Sequence, residues 1–113
     1  MMSETRYSVY VITLSQDVLG EHKFRKANPL HCEGQPCVYV GSTACPPDER
    51  FQQHKHGYKH NRYAKHYGVE LRKNHDKDVL TTGNPHNDRS AAEAREQEVA
   101  DALRKKGWAV WSH

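Results

Sequence analysis

Short apolar segments alternate with longer polar ones along this chain. Residues 7–14, YSVYVITL, and residues 37–41, CVYVG, are rich in β-branched and aromatic side chains, which predicts two buried strands. Residues 15–36 between them are mostly polar and contain two Gly and two Pro. Because this segment is too long for a tight hairpin turn, we predict an insertion with local structure of its own.

Helix signals follow the second predicted strand. Residues 46–49, PPDE, fit a first helical turn, because the N–H that proline lacks has no partner there and acidic groups favour the positive end of the helix dipole. This helix is predicted to end at Gly57. A second, shorter helix is predicted from an Asn61 cap to Gly68, and VELR over 69–72 predicts a strand.

The last third of the chain predicts one long helix and one strand. Ser90 and Glu93 have the spacing of a capping box, and residues 91–106 are strong helix formers followed by Gly107. WAVW at 108–111 predicts the final strand. The order is therefore strand, strand, helix, helix, strand, helix, strand, which is a small mixture of helices and strands.

Length and composition limit the class of protein. The 113 residues fit one domain, and a hydrophobic fraction of 35% with a mean hydropathy of −1.01 allows only a thin core. No apolar run approaches the roughly 18 residues of a membrane span, and the N-terminus lacks a signal-peptide profile, so we expect a cytoplasmic protein with no membrane partner. An odd number of cysteines, three, then favours free thiols.

Positive charge is concentrated in one part of the chain. Residues 50–73 carry seven Lys or Arg and one Glu, whereas residues 1–49 carry four against six and residues 74–113 six against seven. Histidines and tyrosines are interleaved with these cations, a pattern that suits a polyanion but also occurs on ordinary solvated helices. For a nucleic acid, the expected backbone contacts are Lys55, Lys59, Arg62, Lys65, Arg72 and Lys73.

One acidic residue lies on the apolar side of the last predicted helix. On a helical wheel Ala92, Val99 and Leu103 form a narrow stripe, and Glu96 falls within it. Burying a carboxylate is costly unless it has a partner, which can be an arginine, a metal ion or a proton in transfer. Glu96 is therefore a candidate site residue, with a structural ion pair as the alternative.

Four further residues are of types used in phosphodiester chemistry. Arg50 and His54 are four residues apart on one helix face; Arg can grip a phosphate and His can move a proton near neutral pH. Tyr10 and Tyr39 each lie between two valines in a predicted strand, so their phenols would meet if the strands pair. Alone, each feature is also common in ordinary cores and helices.

Together these residues resemble a known nuclease signature. Residues 39–41, Tyr-Val-Gly, followed by Arg50 and His54, resemble the second half of the GIY-YIG motif. Residues 8–10, Ser-Val-Tyr, resemble its first half, and Glu96 falls where that family carries its metal-binding glutamate. The resemblance covers roughly residues 7–111.

This resemblance implies both a fold and an activity. The fold is α+β, with a small, three- to four-stranded, mainly antiparallel central sheet flanked by about three helices. It occupies a single domain over residues 1–113, and the insertion at 15–36 replaces the short hairpin that usually joins the two motifs. The activity is that of a metal-dependent endonuclease that hydrolyses phosphodiester bonds in nucleic acid, with DNA expected more than RNA.

Carried over onto this chain, the resemblance also implies roles for five residues. Glu96 binds one divalent cation, Mg²⁺ or Mn²⁺, because a lone carboxylate with waters suits a hard ion. Tyr10 or Tyr39 deprotonates or orients the attacking water, and Arg50 neutralises charge in the transition state. His54 either lowers the pKa of a tyrosine or contacts the phosphate.

Departures from the family pattern leave alternatives open. Position 8 is Ser where the family has Gly, which leaves Tyr7 as an alternative to Tyr10. Many members have an Asn shortly after the last helix, where this chain has Ser112 and His113. The second functional hypothesis is therefore a non-catalytic or weakly active nucleic-acid-binding module with the same fold.

A structural zinc site is a further alternative, although its ligand spacing matches no common zinc motif. The candidate ligands are His22, His31, Cys32, Cys37 and Cys45. The chain also contains no recognisable base-reading module. We therefore expect low sequence specificity, a homodimer or a partner protein.

Overall fold

A computed structural model of the chain describes residues 6–58, 60–72 and 84–112. The strands are β1 (Ser8–Leu14), β2 (Cys37–Thr43), β3 (Gly68–Leu71) and β4 (Ala109–Ser112). The helices are α1 (His22–Lys26), α2 (Pro47–His56), α3 (Arg62–Tyr67) and α4 (Arg89–Lys105), with a short 3₁₀ helix over Gln16–Gly20. None of the described helices is long and apolar enough to cross a membrane.

The four strands form one mixed sheet in the order β3-β1-β2-β4. β1 pairs antiparallel with both β2 and β3, and β2 pairs in parallel with β4. The register sets Tyr10 opposite Gly41 and Ile12 opposite Tyr39. The predicted α+β class, with a mainly antiparallel sheet and flanking helices, is therefore confirmed.

Strand alternation gives the sheet two different faces. α4 packs on one face, and the buried residues there are aliphatic apart from Trp108: Val9, Val11, Val38, Val40, Ala92, Val99, Ala100, Leu103, Trp108 and Val110. The other face is covered by α1, α2 and α3 and is richer in aromatic residues: Tyr10, Ile12, Leu14, Val18, Phe24, Cys37, Tyr39, Tyr63, Ala64 and Ala109. The candidate tyrosines belong to the second face.

Helix boundaries follow the predicted caps with one exception. Pro47 opens α2, and the Asn61 side chain caps α3 by accepting from two backbone N–H groups. The predicted capping box at Ser90 is wrong, because α4 begins at Arg89. Its cap is Asp88, whose carboxylate accepts from the Ala91 N–H at 2.7 Å, which leaves Ser90 inside the helix.

The segment between β1 and β2 has local structure, as predicted, and it covers one end of the sheet. Phe24 of α1 is fully buried, with ring centroids 5.5 Å from Tyr63 and 6.4 Å from Trp111. The side-chain oxygen of Asn28 accepts from the Val110 N–H at 2.7 Å. One backbone donor on the outer side of strand β4 is thus bonded by the insertion rather than left open at the sheet edge.

Candidate active site

The pairing of β1 with β2 brings two phenols together. The ring centroids of Tyr10 and Tyr39 are 6.1 Å apart, and both side chains are almost completely buried. Gly41, opposite Tyr10, makes this arrangement possible, because a Cβ there would lie 2.5 Å from the Tyr10 Oη and 2.9 Å from a Tyr39 ring carbon. The glycine of the motif is therefore required by the space that the Tyr10 ring occupies.

α2 brings His54 and Arg50 to the same face of the sheet. His54 is fully buried, and its ring centroid lies 5.4 Å from Tyr39 and 6.1 Å from Tyr10. One turn earlier, Arg50 is half-buried and hydrogen-bonds to Tyr10. Its guanidinium also donates to Gln53 Oε1 at 3.0 Å and to the Tyr58 carbonyl at 3.3 Å, which restrains the fork on the rim of the site.

The hydrogen bonds of His54 assign its tautomer. The backbone N–H of Asn61 donates to His54 Nδ1 at 2.9 Å, so this nitrogen is an acceptor without a proton. The ring proton of neutral His54 is then on Nε2, which lies 2.9 Å from the Tyr10 Oη. His54 therefore donates a hydrogen bond to the phenol oxygen and does not accept one from it.

Glu96 approaches the phenols from α4. It is 4% exposed and lies in the buried stripe of that helix with Ala92 and Val99, as its position on the wheel predicts. Its negative charge raises the pKa of both Tyr10 and Tyr39, so the carboxylate acts electrostatically on the two phenols from the helix on the other side of the sheet. By contrast, Glu98 on the same helix is exposed.

The two phenols differ in how readily they ionise. Burial raises the pKa of Tyr10 to about 12, while the positive charge of Arg50 and hydrogen bonds from Tyr39 and Arg50 oppose the rise. Burial, together with the negative charges of ionised Tyr10 and of Glu96, raises the pKa of Tyr39 well above its usual value. The environment of Tyr10 thus opposes ionisation less than that of Tyr39, and Tyr39 hydrogen-bonds to the Tyr10 oxygen.

Four of the predicted site residues, Tyr10, Tyr39, Arg50 and His54, are in contact with one another, and Glu96, 86 positions after Tyr10, acts electrostatically on the two phenols. Tyr7, the alternative to Tyr10, does not join them. It bridges to His86 and packs against the α4 face of the sheet. Ser112 ends β4, paired with Val40, and His113 lies outside the described residues.

The cations predicted to contact nucleic acid differ from one another in their hydrogen-bond partners and in their exposure. Lys55 Nζ donates to two backbone carbonyls, of Lys65 and Gly68, at 2.8 and 2.9 Å. Arg62 bonds Glu21 at 2.7 Å, and Arg72 donates to Thr13 while its guanidinium lies over the Trp108 ring. Lys65 is partly buried, and Lys59 and Lys73 lie outside the described residues.

The zinc alternative finds no support. Within residues 6–58, 60–72 and 84–112, no three or more His, Cys, Asp or Glu side chains are grouped to hold a metal ion. This range includes all five candidate ligands. Cys32, Cys37 and Cys45 are free, as their odd number suggests.

Sequence reasoning missed the part that Asn61 plays in the site. The Asn was recognised as a helix cap from its type and position, and this prediction is confirmed. Its backbone N–H to His54 depends on the turn that joins α2 to α3, where Gly57 adopts a positive φ of 86°. Only Gly57 itself, as the predicted end of the helix, hinted at that turn.

A family model described as the GIY-YIG catalytic domain matches residues 29–108. No curated protein and no solved structure matches the chain. The matched range contains Tyr39, Arg50, His54 and Glu96, whereas Tyr10 precedes it and is placed in the site by the structure alone. Because the match spans more than half of the chain, this protein belongs to the GIY-YIG catalytic domain family, which is a family of nucleases.

Proposed function

We propose that this protein is a divalent-metal-dependent endonuclease that hydrolyses phosphodiester bonds, with DNA as the preferred substrate. The observation that carries the proposal is the environment of one atom, the Tyr10 Oη. It is surrounded by donors from His54, Tyr39 and Arg50, with the carboxylate of Glu96 nearby. A family of nucleases that this chain belongs to supplies the reaction class.

Tyr10 is the general base in this proposal. A neutral phenol oxygen cannot readily accept three hydrogen bonds while keeping its own proton, whereas a phenolate can. The bonds from His54, Tyr39 and Arg50 are therefore best satisfied together once Tyr10 has ionised. Burial nevertheless raises the pKa of Tyr10 to about 12, so only a small fraction is ionised near neutral pH, its own proton having passed to solvent. The phenolate takes a proton from the attacking water, whose oxygen forms the new bond to phosphorus while the bond from phosphorus to the leaving 3′ oxygen breaks.

Exposure separates residues that touch the substrate from residues that act through Tyr10. Tyr39 and His54 are fully buried and Tyr10 is 4% exposed, so in this proposal only the Tyr10 oxygen of the three meets the attacking water, and Tyr39 and His54 hold and stabilise it. Arg50 is half-buried with its fork at the rim, where it neutralises charge on the transition state. Removing the Arg50 guanidinium costs on the order of 10²-fold or more in rate.

The donor set fits a hard divalent cation. Glu96 supplies one buried carboxylate oxygen ligand, and Mg²⁺ or Mn²⁺ commonly bind one or two carboxylates while keeping several waters. Such an ion would supply Lewis-acid polarisation of the scissile phosphate and charge stabilisation at the leaving 3′ oxygen. The site lacks the grouped nitrogen and sulfur ligands that zinc favours, at least among the residues described.

Replacing one carboxylate tests the proposal. Supercoiled plasmid is incubated with wild type, Glu96→Gln or Glu98→Gln, in Mg²⁺ and in EDTA. Glu98 is the matched control, because it lies on the same helix with its side chain 64% exposed. We expect wild type and Glu98→Gln to nick DNA only with Mg²⁺, and Glu96→Gln to lose at least about 10²-fold in rate while still binding DNA.

Two results would change the assignment. Cleavage by Glu96→Gln at the wild-type rate would remove Glu96 from the site. DNA binding by wild type without Mg²⁺-dependent or Mn²⁺-dependent nicking would favour the non-catalytic binding module. Labelled single-stranded DNA and structured RNA, run beside the duplex, test the preference for DNA.

The remaining expectations follow from the size of the protein. We infer low sequence specificity unless a homodimer or a partner protein contributes further contacts, since no base-reading module is recognised in the chain. Light scattering with and without DNA tests dimerisation. A cytoplasmic location stays part of the same proposal.

A further inference from the structure

The short helix α1 in the insertion presents a set of exposed cations. Lys23, Arg25 and Lys26 are all exposed on this five-residue helix. Phe24 between them is fully buried, and Asn28 just after the helix is 6% exposed. The helix is thus anchored by two buried residues while three neighbouring side chains carry positive charge into solvent.

α1 lies beside α3, in the layer that covers the active-site face of the sheet. Phe24 packs edge-on against Tyr63 of α3, at a centroid distance of 5.5 Å. Glu21, just before α1, bonds Arg62 at 2.7 Å and the Tyr67 hydroxyl at 3.1 Å. The cations of α1 therefore adjoin the basic stretch of α3, and Glu21 is already bonded on the α3 side.

The α1 cations differ from the ones that the sequence singles out. Lys55, Arg62 and Arg72 are each bonded to protein groups, to carbonyls, a carboxylate and a hydroxyl respectively. Across the described ranges 6–58, 60–72 and 84–112, the side chains of Lys23, Arg25 and Lys26 make no hydrogen bond or ion pair. A cation without a protein partner needs no bond broken before it pairs with a phosphate.

We propose that α1 is a second anchoring surface for the phosphate backbone of the substrate nucleic acid, outside the catalytic centre. The inference rests on the proposed function, and it assigns the insertion a role in substrate binding. Three exposed cations on one short helix attract a polyanion, and the Phe24–Tyr63 contact sets this helix beside α3, which in turn packs against the helix that carries Arg50. They position the strand and read no sequence.

Charge neutralisation on α1 tests this inference. We compare wild type with the triple variant Lys23→Gln, Arg25→Gln, Lys26→Gln, using fluorescence anisotropy of a labelled duplex DNA in EDTA over a range of salt. The logarithm of the binding constant falls linearly with log [salt], and removing one pairing between a cation and a phosphate reduces the magnitude of this slope by about 0.9. For the triple variant we expect the magnitude of this slope to be smaller than in wild type by about 2 to 3. For Arg25→Gln alone we expect it to be smaller by about 0.9.

Arg89→Gln is the matched control. It changes the same residue type in the same way, on the exposed start of α4, where the arginine side chain is 77% exposed. We expect its salt dependence to equal that of wild type. In Mg²⁺, the triple variant should raise the KM for nicking while leaving kcat at saturating DNA unchanged, because no catalytic group is altered.

The outcomes separate this inference from the proposed function. Wild-type cleavage with an unchanged salt slope in the triple variant overturns the α1 surface and leaves the nuclease proposal standing. A wild-type protein that neither binds nor cuts nucleic acid overturns both. Circular dichroism checks that α1 variants are folded; if the triple variant is not, Arg25→Gln against Arg89→Gln decides the question.

Discussion

The two faces of the sheet are built from the same strands, but one forms an aliphatic core and the other holds the candidate active site. On the α4 side, β1 and β2 contribute Val9, Val11, Val38 and Val40, and apart from Glu96 the buried side chains of α4 are apolar. On the other side, the same two strands contribute Tyr10 and Tyr39. One face excludes water with aliphatic groups, and the other buries oxygen and nitrogen atoms that must be hydrogen-bonded.

This difference shows how a thin core can still hold a reactive site. Every buried side-chain nitrogen or oxygen in the described residues has a hydrogen-bond partner, including those of His54 and the two tyrosines. The polar face is therefore fixed by directed bonds, whereas the α4 face is fixed by packing. Substitutions on the tyrosine face should lower the rate more than the stability, and substitutions on the α4 face should lower the stability more than the rate.

The largest expected effect is on rate, from the hydroxyl of Tyr10. Tyr10→Phe removes the proposed base and should lower kcat for plasmid nicking by about 10³-fold. Unfolding free energy should fall by only about 1 kcal/mol, because the donors of His54 and Tyr39 lose an acceptor. Tyr39→Phe is the control and should retain more activity, since that residue acts through Tyr10. Equal losses in the two variants would reject the assignment of the base.

The opposite face should give the converse result. Leu103 is fully buried in the α4 cluster, away from the site tyrosines. Leu103→Ala should lower the unfolding free energy by about 2 to 4 kcal/mol, through reduced apolar burial and a cavity. Urea unfolding measures this change, and kcat per folded molecule below the transition should match wild type. A large loss of kcat in the folded variant would mean that the two faces are coupled.

A smaller effect on the nicking rate is expected at Gly41, which lies opposite Tyr10 on the neighbouring strand. Gly41→Ala adds a Cβ that would lie 2.5 Å from the Tyr10 Oη, so the Tyr10 ring must leave the position in which its oxygen is 2.9 Å from His54 Nε2. We expect nicking to fall by roughly 10- to 100-fold, because misplacing a catalytic group by about 1 Å has that cost. Gly20→Ala is the control, since no atom lies within 4 Å of a Cβ there. An active Gly41→Ala would show that the position of Tyr10 is not critical.

The smallest effect is on the pH dependence of stability. The pKa of Tyr10 is about 12 in the folded protein against its ordinary value of 10.0, so folding favours the protonated form. The stabilisation that protonated Tyr10 gives the folded state is fully present below pH 10 and is lost as pH rises toward 12. At pH 11 the free energy of unfolding should be lower by about 1 kcal/mol. Urea unfolding of wild type at pH 8 and pH 11 should show this loss. Tyr10→Phe should show a smaller one, and an identical pH dependence would contradict the raised pKa of Tyr10.

Some of this molecule could be predicted from local patterns. The strand at Ser8–Leu14, the Asn61 cap and the buried position of Glu96 all followed from residue type and periodicity. The start of α4 did not, because Ser90 and Asp88 are both good caps and only the backbone conformation selects Asp88. The cationic role proposed for α1 was also hidden, since residues 1–49 carry a net negative charge as a whole.

The sequence by itself determined which residue types are present and which local elements they form. Periodicity and caps were enough for the local elements, and the motif residues Tyr39, Arg50, His54 and Glu96 carried the resemblance that implied the family and the α+β class. The tertiary structure decided which atoms face each other: that His54 donates to Tyr10, that Asn61 sets its tautomer, and that Lys55 bonds carbonyls. Hydrogen bonds and charges act over a few ångströms in space, and distance along a chain does not report that separation.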